Sequence, residues 1–319
     1  MHEDRFIASH RGPLLLCAGT YPAAAARLAD AAVALLVDRP AIVLATWQPP
    51  AMAGLDWLAD ALYDADGDAR AAARNAAIET ADAACDALSA RGLNVTRRIV
   101  ADEQSPWQSI LEFADRYDAS VIVAGTSDGR ASHDGELGSQ ARALAHRARR
   151  PLLLVPAGAD AGPLAEHDPA VFAYDGSAPA QRALDAAAVL LRPRPAVVAS
   201  VWHNASTVVA AARVALPAGV ARKGAASLDD AASAEADGLA GAGATRLSAA
   251  GWPCQAATLQ TARGVPSAII DEADERDAAI LVSGTRGRSK LASALLGSSA
   301  EALVRYAGRP VLLVPAPPR

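Results

Sequence analysis

A glycine- and serine-rich stretch near the end of the chain carries the residue types that bind phosphate. Glycines let the backbone approach an anion with no Cβ in the way. Gly297-Ser298 opens a predicted helix, whose unpaired N–H groups and dipole favour a phosphate. Hydroxyl groups add hydrogen-bond donors, and arginines add positive charge. The sequence therefore predicts an anion-binding loop with the candidate residues Gly284, Thr285, Arg286, Gly287, Arg288, Gly297, Ser298 and Ser299.

A second candidate is the tripeptide Asp175-Gly176-Ser177, which follows a short apolar run. Its carboxylate can accept hydrogen bonds from an amine or from ribose hydroxyls. The alternative is that Asp175 only caps the helix after it, which is a common role for Asp and Ser at such a position. We favour contact with a ligand, because the tripeptide and the loop both follow predicted strands, and open α/β sheets bind ligands at the carboxyl ends of their strands.

Short apolar strands that alternate with helices position both features. Continuously apolar strands of this kind are typical of a parallel sheet that is covered on both faces. The predicted strands of this half are 170–174, 196–202, 255–259, 279–283 and 311–314, and the predicted helices are 178–191, 227–250, 267–276 and 298–306.

The first half of the chain repeats this pattern. Residues 150–157 match residues 309–316, and residues 118–126 match residues 277–285 at the same spacing. Breaker-rich residues between the two copies form the predicted linker. The sequence therefore predicts an α/β protein of two tandem domains, 1–157 and 168–319. Each is predicted to be an open, mostly parallel five-stranded sheet with helices on both faces.

The second copy resembles the universal stress proteins of the ATP-binding type, which share Asp-Gly-Ser after the first strand and Gly-x2-Gly-x9-Gly-Ser after the fourth. The tandem layout resembles the two-domain members of that family. The resemblance implies an adenine-nucleotide α-hydrolase-like fold in each half. It also implies that Asp175 contacts the adenine end of ATP, that backbone near Val201 flanks the base, and that the loop glycines and serines surround the ribose and phosphates. Mg²⁺ is an expected companion of ATP.

The first copy departs from the motif in two places. Ala18 is predicted to stand where the second copy has Asp175, so the carboxylate is absent. Asp128 stands in the place of the second loop glycine and adds a negative charge near the expected phosphates, although Gly129 could restore the turn by a shift of one residue. Like charges at such distances repel. The sequence therefore predicts that the first domain binds ATP poorly or not at all.

Three functions are consistent with these features. The leading hypothesis is a stress-response regulator in which bound ATP is a conformational signal with little or no hydrolysis. The alternative of another class is a nucleotide-independent scaffold or protein-interaction module, whose protein partners the sequence does not name. The third is an enzyme of adenylate or phosphoryl transfer. It is the least favoured, because the sequence shows no paired acid and base.

Composition argues against several other classes. A net charge of −5, with lysine only at 223 and 290, does not suit a dedicated nucleic-acid surface. No apolar run reaches the roughly 18–20 residues of a membrane span. Three scattered cysteines fit neither a disulfide framework nor a zinc motif. Asp64-Ala-Asp66-Gly-Asp68 matches a calcium loop only in part and is predicted to be a solvated loop. We therefore expect a cytoplasmic protein without a metal site of its own.

Both copies end in an apolar strand, Leu152–Val155 in the first and Val311–Val314 in the second. An exposed apolar edge strand invites pairing. We predict that the two strands pair antiparallel within the chain and form an intramolecular pseudo-dimer. The sequence leaves a homodimer of whole chains open.

Overall fold

The structure, a computed structural model, describes residues 12–48, 63–102, 105–127, 137–157, 167–204, 218–287 and 296–316. The chain divides into two compact units, Met1–Asp160 and Ala161–Arg319. No helix in these ranges is both long enough and apolar enough to span a membrane.

The first unit is built around a parallel sheet. Its strands and helices are β1 (Leu14–Cys17), α1 (Pro22–Leu35), β2 (Ala41–Trp47), α2 (Tyr63–Ser89), β3 (Val95–Ala101), α3 (Pro106–Arg116), β4 (Val121–Gly125), α4 (Ser139–Arg147) and β5 (Leu152–Val155). The strands lie in the order β3-β2-β1-β4-β5, and neighbouring strands run parallel. The order reverses between β1 and β4, and such a reversal opens a crevice at the carboxyl ends of the strands.

The second unit repeats this topology. Its elements are β6 (Ala170–Ala173), α5 (Ala178–Leu190), β7 (Ala196–His203), α6 (Ala218–Ala249), β8 (Cys254–Thr261), α7 (Val265–Glu275), β9 (Ile280–Gly284), α8 (Ser298–Tyr306) and β10 (Val311–Val314). Within this unit the strands lie in the order β10-β9-β6-β7-β8, again all parallel. The predicted fold class, two tandem parallel α/β sheets, is confirmed. The predicted pairing of β5 with β10 stays a prediction.

The central strands of each unit form its core because both sheet faces are covered. Leu14, Leu15 and Leu16 of β1 are almost fully buried, as are Val171 and Phe172 of β6. An apolar side chain buried in this way stabilises a fold by about 1.5–3 kcal/mol. This burial explains why the strands are continuously apolar in sequence rather than alternating with polar residues.

Most predicted bounds lie within two residues of those in the structure, but two elements differ more. Helix α6 begins at Ala218 rather than Ser227, because the alanine-rich sequence continues upstream and alanine is the strongest helix former. The segment with Asp64, Asp66 and Asp68 is wrongly predicted as a loop, since it lies in the first turns of α2. The alanines that alternate with and follow these aspartates favour the helix.

Candidate functional site

A cavity of about 510 Å³ opens at the carboxyl ends of β6, β7 and β9 in the second unit. Pockets of about 300–1,000 Å³ are of the size that holds small ligands and cofactors. The structure places most of the predicted site residues in its wall. They are Asp175, Val201, Gly284, Thr285, Arg286, Gly287, Gly297, Ser298 and Ser299.

The carboxylate of Asp175 has a defined position in this wall. Its Oδ1 accepts a hydrogen bond from the backbone N–H of Ser177 at 3.0 Å. Ser177 is the N-cap of α5, and its Oγ accepts from the backbone N–H of Ala180 at 3.3 Å. Capping of the helix is therefore the task of Ser177, while Asp175 holds the turn and also lines the cavity. Asp175 is therefore not the helix cap, and its contact with a ligand stays a prediction.

Gly287 lies directly against this carboxylate. A Cβ built on Gly287 would lie 2.8 Å from Asp175 Oδ2. Gly284 is equally confined, because its Cβ would lie 3.0 Å from the carbonyl oxygen of Pro179. Glycine at both positions lets the loop after β9 pass close to the loop after β6. Two motifs that are far apart in sequence therefore form one site.

Another part of the cavity wall has the features of an anion site. The backbone N–H of Gly297 donates to the carbonyl of Thr285 at 2.7 Å, which brings the two ends of the loop together. Gly297 is the N-cap of α8 and has no side chain with which to cap it. Its first backbone N–H groups are thus available to a ligand. Nε of Arg286 is buried and has no hydrogen-bond partner in the part of the chain that the structure describes.

Two predicted residues, Gly176 and Ser177, do not line the cavity, and a third lies outside the described residues. Gly176 has φ +75° and packs against Leu239, whose Cδ2 lies 2.5 Å from the position of a Cβ on that glycine. Ser177 faces the start of α5 as its cap. Gly176 and Ser177 therefore shape the turn that presents Asp175. Arg288 lies outside the described residues.

The sequence prediction missed the contribution of helix α6. Ala232, Glu235, Ala236 and Leu239 of this helix line the cavity. Their spacing of three and four residues marks one helical face, but nothing in the sequence says which face meets the sheet edge. Glu235 brings a second carboxylate to the cavity. Trp202 and His203 at the end of β7 also line it.

The first unit has a cavity of about 690 Å³ at the same sheet edge. Gly125, Thr126, Gly138 and Ser139 line it, and the backbone N–H of Gly138 donates to the carbonyl of Thr126 at 2.9 Å. This is the arrangement that Thr285 and Gly297 form in the second unit. Asp128 and Gly129, the two residues on which the predicted loss of phosphate binding depends, lie outside the described residues.

The predicted equivalence of Ala18 with Asp175 is wrong by one residue. Leu14 pairs with Ala41 and Val121, whereas Ala170 pairs with Ala196 and Ile280, so β1 and β6 correspond from Leu14 and Ala170 onward.

This register places Ala18 level with Tyr174, because Ala18 N–H donates to the carbonyl of Leu44 just as Tyr174 N–H donates to that of Ala199. The next residue of positive φ is Gly19 in the first unit and Gly176 in the second. The first copy is thus one residue shorter here. The first copy therefore has no position equivalent to that of Asp175, a difference that residue-by-residue matching of the two sequences does not detect.

The cysteines offer no reactive thiolate at either cavity. Burial raises the pKa of Cys17, which lines the first cavity, to about 12. Burial likewise raises the pKa of Cys254 to about 11. A thiol with such a pKa stays protonated and unreactive at neutral pH. Among the described residues, no group of three or more His, Cys, Asp and Glu side chains is placed to hold a metal ion.

Comparison with known proteins identifies the family. The sequence profile of the Universal stress protein family matches residues 15–156 and again residues 167–315. The chain belongs to this family and contains two copies of its domain. The comparison with curated proteins gave no significant match.

Solved structures agree with the fold. A universal stress protein from Archaeoglobus fulgidus DSM 4304 is 16% identical, with a TM-score of 0.56 over 96% of this chain and 98% of its own. A protein of unknown function from Pseudomonas aeruginosa PAO1 is also 16% identical, with a TM-score of 0.52 over 96% of this chain and 94% of its own. A universal stress protein in complex with cAMP is 22% identical over 46% of this chain and 97% of its own, with a TM-score of 0.30.

Proposed function

We propose that this universal stress protein binds ATP in the cavity of the second unit and uses the bound nucleotide as a regulatory signal. The observation that carries the proposal is the convergence of Asp175, Gly287 and the uncapped start of α8 on one cavity. A carboxylate at one wall suits the amine and hydroxyl donors of adenosine. A helix N-terminus at another wall suits phosphates.

The charges of the cavity fit a nucleotide that is bound in one orientation. Asp175 and Glu235 are the carboxylates of its described wall, and Arg286 is the arginine. A buried guanidinium nitrogen without a partner costs free energy, and a phosphate oxygen could accept from it. We expect Mg²⁺ to accompany ATP through its phosphate oxygens, because Mg²⁺ is usually held by substrate phosphates rather than by an all-protein cage.

We expect ATP to be bound with little or no hydrolysis. General acid–base catalysis needs a positioned group that can take or give a proton at the reacting atoms. Asp175 accepts the N–H of Ser177 at 3.0 Å and lies against Gly287, and the sequence shows no paired acid and base. A single-turnover assay with radiolabelled ATP tests this expectation, and release of phosphate at a rate of about one per second or faster, the lower range of ordinary enzymes, would contradict it.

Calorimetry and mass spectrometry of the purified full chain test the proposal of binding. We expect about one adenine nucleotide per chain, with ATP, ADP, AMP and cAMP as the probes. Binding should be lost in Asp175→Ala and in Gly287→Asp, whose new carboxylate would lie against Asp175. Asp185→Ala is the matched control, because Asp185 lies on α5 and pairs with Arg246 away from the cavity. If no nucleotide binds while protein partners are still captured by the Asp175→Ala variant, the chain acts as a nucleotide-independent scaffold and the proposal is wrong.

A further inference from the structure

The described parts of the two cavity walls differ in their charged residues. In the second unit, the described wall carries the carboxylates Asp175 and Glu235 beside Arg286. In the first unit, the described wall carries Arg27 and no carboxylate. Asp175 has no counterpart there, because the first copy is one residue shorter between its strand and Gly19.

Glu235, the second carboxylate, also has no counterpart in α2, the helix of the first unit that corresponds to α6. After α2, the backbone N–H of Leu93 donates to the carbonyl of Leu88. After α6, the backbone N–H of Trp252 donates to the carbonyl of Leu247 in the same way, so the ends of the two helices can be aligned.

Counted back from these ends, Ala76 takes the place of Glu235 and Thr80 takes the place of Leu239, and both line the first cavity. The hydroxyl of Thr80 donates to the carbonyl of Ala76 at 2.8 Å. The first unit has Ala and Thr where the second has the larger Glu and Leu. These smaller side chains help to explain why the first cavity is larger, about 690 Å³ against about 510 Å³.

Arg27, the arginine in the described wall of the first cavity, corresponds to a residue that does not line the second cavity. Helices α1 and α5 end alike. The N–H of Leu36 donates to the carbonyl of Ala32, and the N–H of Leu191 donates to the carbonyl of Ala187. By this alignment Arg27 corresponds to Arg182, which does not line the second cavity. The guanidinium of Arg27 offers a planar fork that matches a carboxylate.

Two indole rings complete the first cavity. Trp47 at the end of β2 lines it, as Trp202 lines the second. Trp107 at the start of α3 also lines it, and the guanidinium of Arg147 lies 4.7 Å from the centre of its ring. The residue at the corresponding place in α7 is Pro266, which does not line the second cavity. Aromatic walls favour planar apolar ligands.

We propose that the first cavity is a separate binding site for a small aromatic monoanion, such as an aromatic carboxylate, and not a second nucleotide site. The single arginine of its described wall would pair with the acid group, and the two indoles would contact the aromatic ring. In the described wall of the first cavity, the acid group would meet Arg27 and no carboxylate. One chain would thus respond to two chemically different ligands.

Isothermal titration calorimetry with 2-naphthoate and 2-naphthamide tests this site. The two probes share size and shape and differ in charge. The titrations use the full chain in the presence and in the absence of saturating ATP, so that a failure of nucleotide binding in the second unit would be seen separately. We expect 2-naphthoate to bind once per chain, with ATP present or absent, and the amide to bind at least about tenfold more weakly.

Variants assign the binding to the first cavity. Arg27→Gln should weaken 2-naphthoate about tenfold, whereas Arg182→Gln at the matching position of α5 should not. Ala76→Glu, which introduces the carboxylate of the second cavity, should weaken the acid more than the amide. Thermal unfolding checks that each variant is folded. The proposal is overturned if 2-naphthoate does not bind, if acid and amide bind equally, or if Arg27→Gln and Ala76→Glu both leave the affinity unchanged.

Discussion

Replacement of Gly287 by alanine should weaken ATP binding without unfolding the protein. The new Cβ would lie 2.8 Å from Asp175 Oδ2, closer than a carbon and an oxygen approach without strain. The carboxylate is the end of a flexible side chain and can move away. Its other oxygen, however, accepts the N–H of Ser177 at 3.0 Å, so the movement strains or breaks that hydrogen bond.

The expected magnitude follows from that one hydrogen bond. Loss of an intramolecular hydrogen bond costs about 0.5–1.5 kcal/mol of stability, so Gly287→Ala should lower the free energy of unfolding by about 1 kcal/mol. Because the displaced carboxylate also loses its position toward the ligand, the affinity for ATP should fall about tenfold. Urea denaturation measures the first quantity and calorimetry measures the second.

A double-mutant cycle tests whether Asp175 transmits the effect. In an Asp175→Ala background there is no Oδ2 for the new Cβ to meet, so Gly287→Ala should cost almost no stability. Gly241→Ala is the control for an added methyl group without a close contact, because its Cβ meets nothing within 4 Å; since Gly241 lies in a helix, this change should not lower stability. An equal loss of stability from Gly287→Ala in the presence and absence of the Asp175 carboxylate would refute the reasoning.

Three further predictions concern packing, ionisation and register. In helix α6, Gly238→Ala should raise stability by about 0.5–1 kcal/mol, because the new Cβ meets nothing within 4 Å. Gly243→Ala should instead lower stability by about 1–3 kcal/mol, because its Cβ would lie 2.8 Å from Val198 Cγ1. Thermal unfolding compares the two variants. Burial raises the pKa of Cys17 from 9.0 to about 12. The contribution of the protonated thiol to stability is therefore present below pH 9 and is lost between pH 9 and 12, by about 1.4 kcal/mol per pH unit. Cys17→Ala should remove this slope in urea denaturation. Ala18→Asp should lower the melting temperature and, combined with Asp175→Ala, should not restore ATP binding in calorimetry; restored binding would show that the register argument is wrong.

The sequence predicted the part of the second cavity that depends on strand ends. Asp175 and Gly287 follow two apolar strands, and parallel strands that flank a reversal of order present their carboxyl ends to one crevice. Residue type and spacing were therefore enough to place the two motifs at one site. The bounds of α8, Ser298–Tyr306, and of β10, Val311–Val314, were also predicted as the structure has them.

The contribution of α6 could not be predicted in this way, because it depends on how the helix lies on the sheet. Gly243 lets the helix approach Val198 and Tyr174, where a Cβ would lie 2.8 Å and 3.0 Å from their atoms. That close approach turns the face with Glu235 and Leu239 toward the cavity. An alanine- and glycine-rich helix has no strong apolar stripe from which its rotation could be predicted.

The difference in length after the first strands explains why the two cavities differ in kind. A substitution of Asp by Ala could be reversed by a single change and would leave the site otherwise intact. Here Ala18 is fully buried and its N–H bonds to β2, as Tyr174 bonds to β7, so the position that would present a carboxylate does not exist. With Glu235 replaced by Ala76 in the same wall, no carboxylate of the second cavity has a counterpart among the described residues of the first. Two separate changes with one electrostatic result are better explained by a preference for a different ligand than by the decay of an ATP site, because decay alone would not also place Arg27 and Trp107 at the cavity.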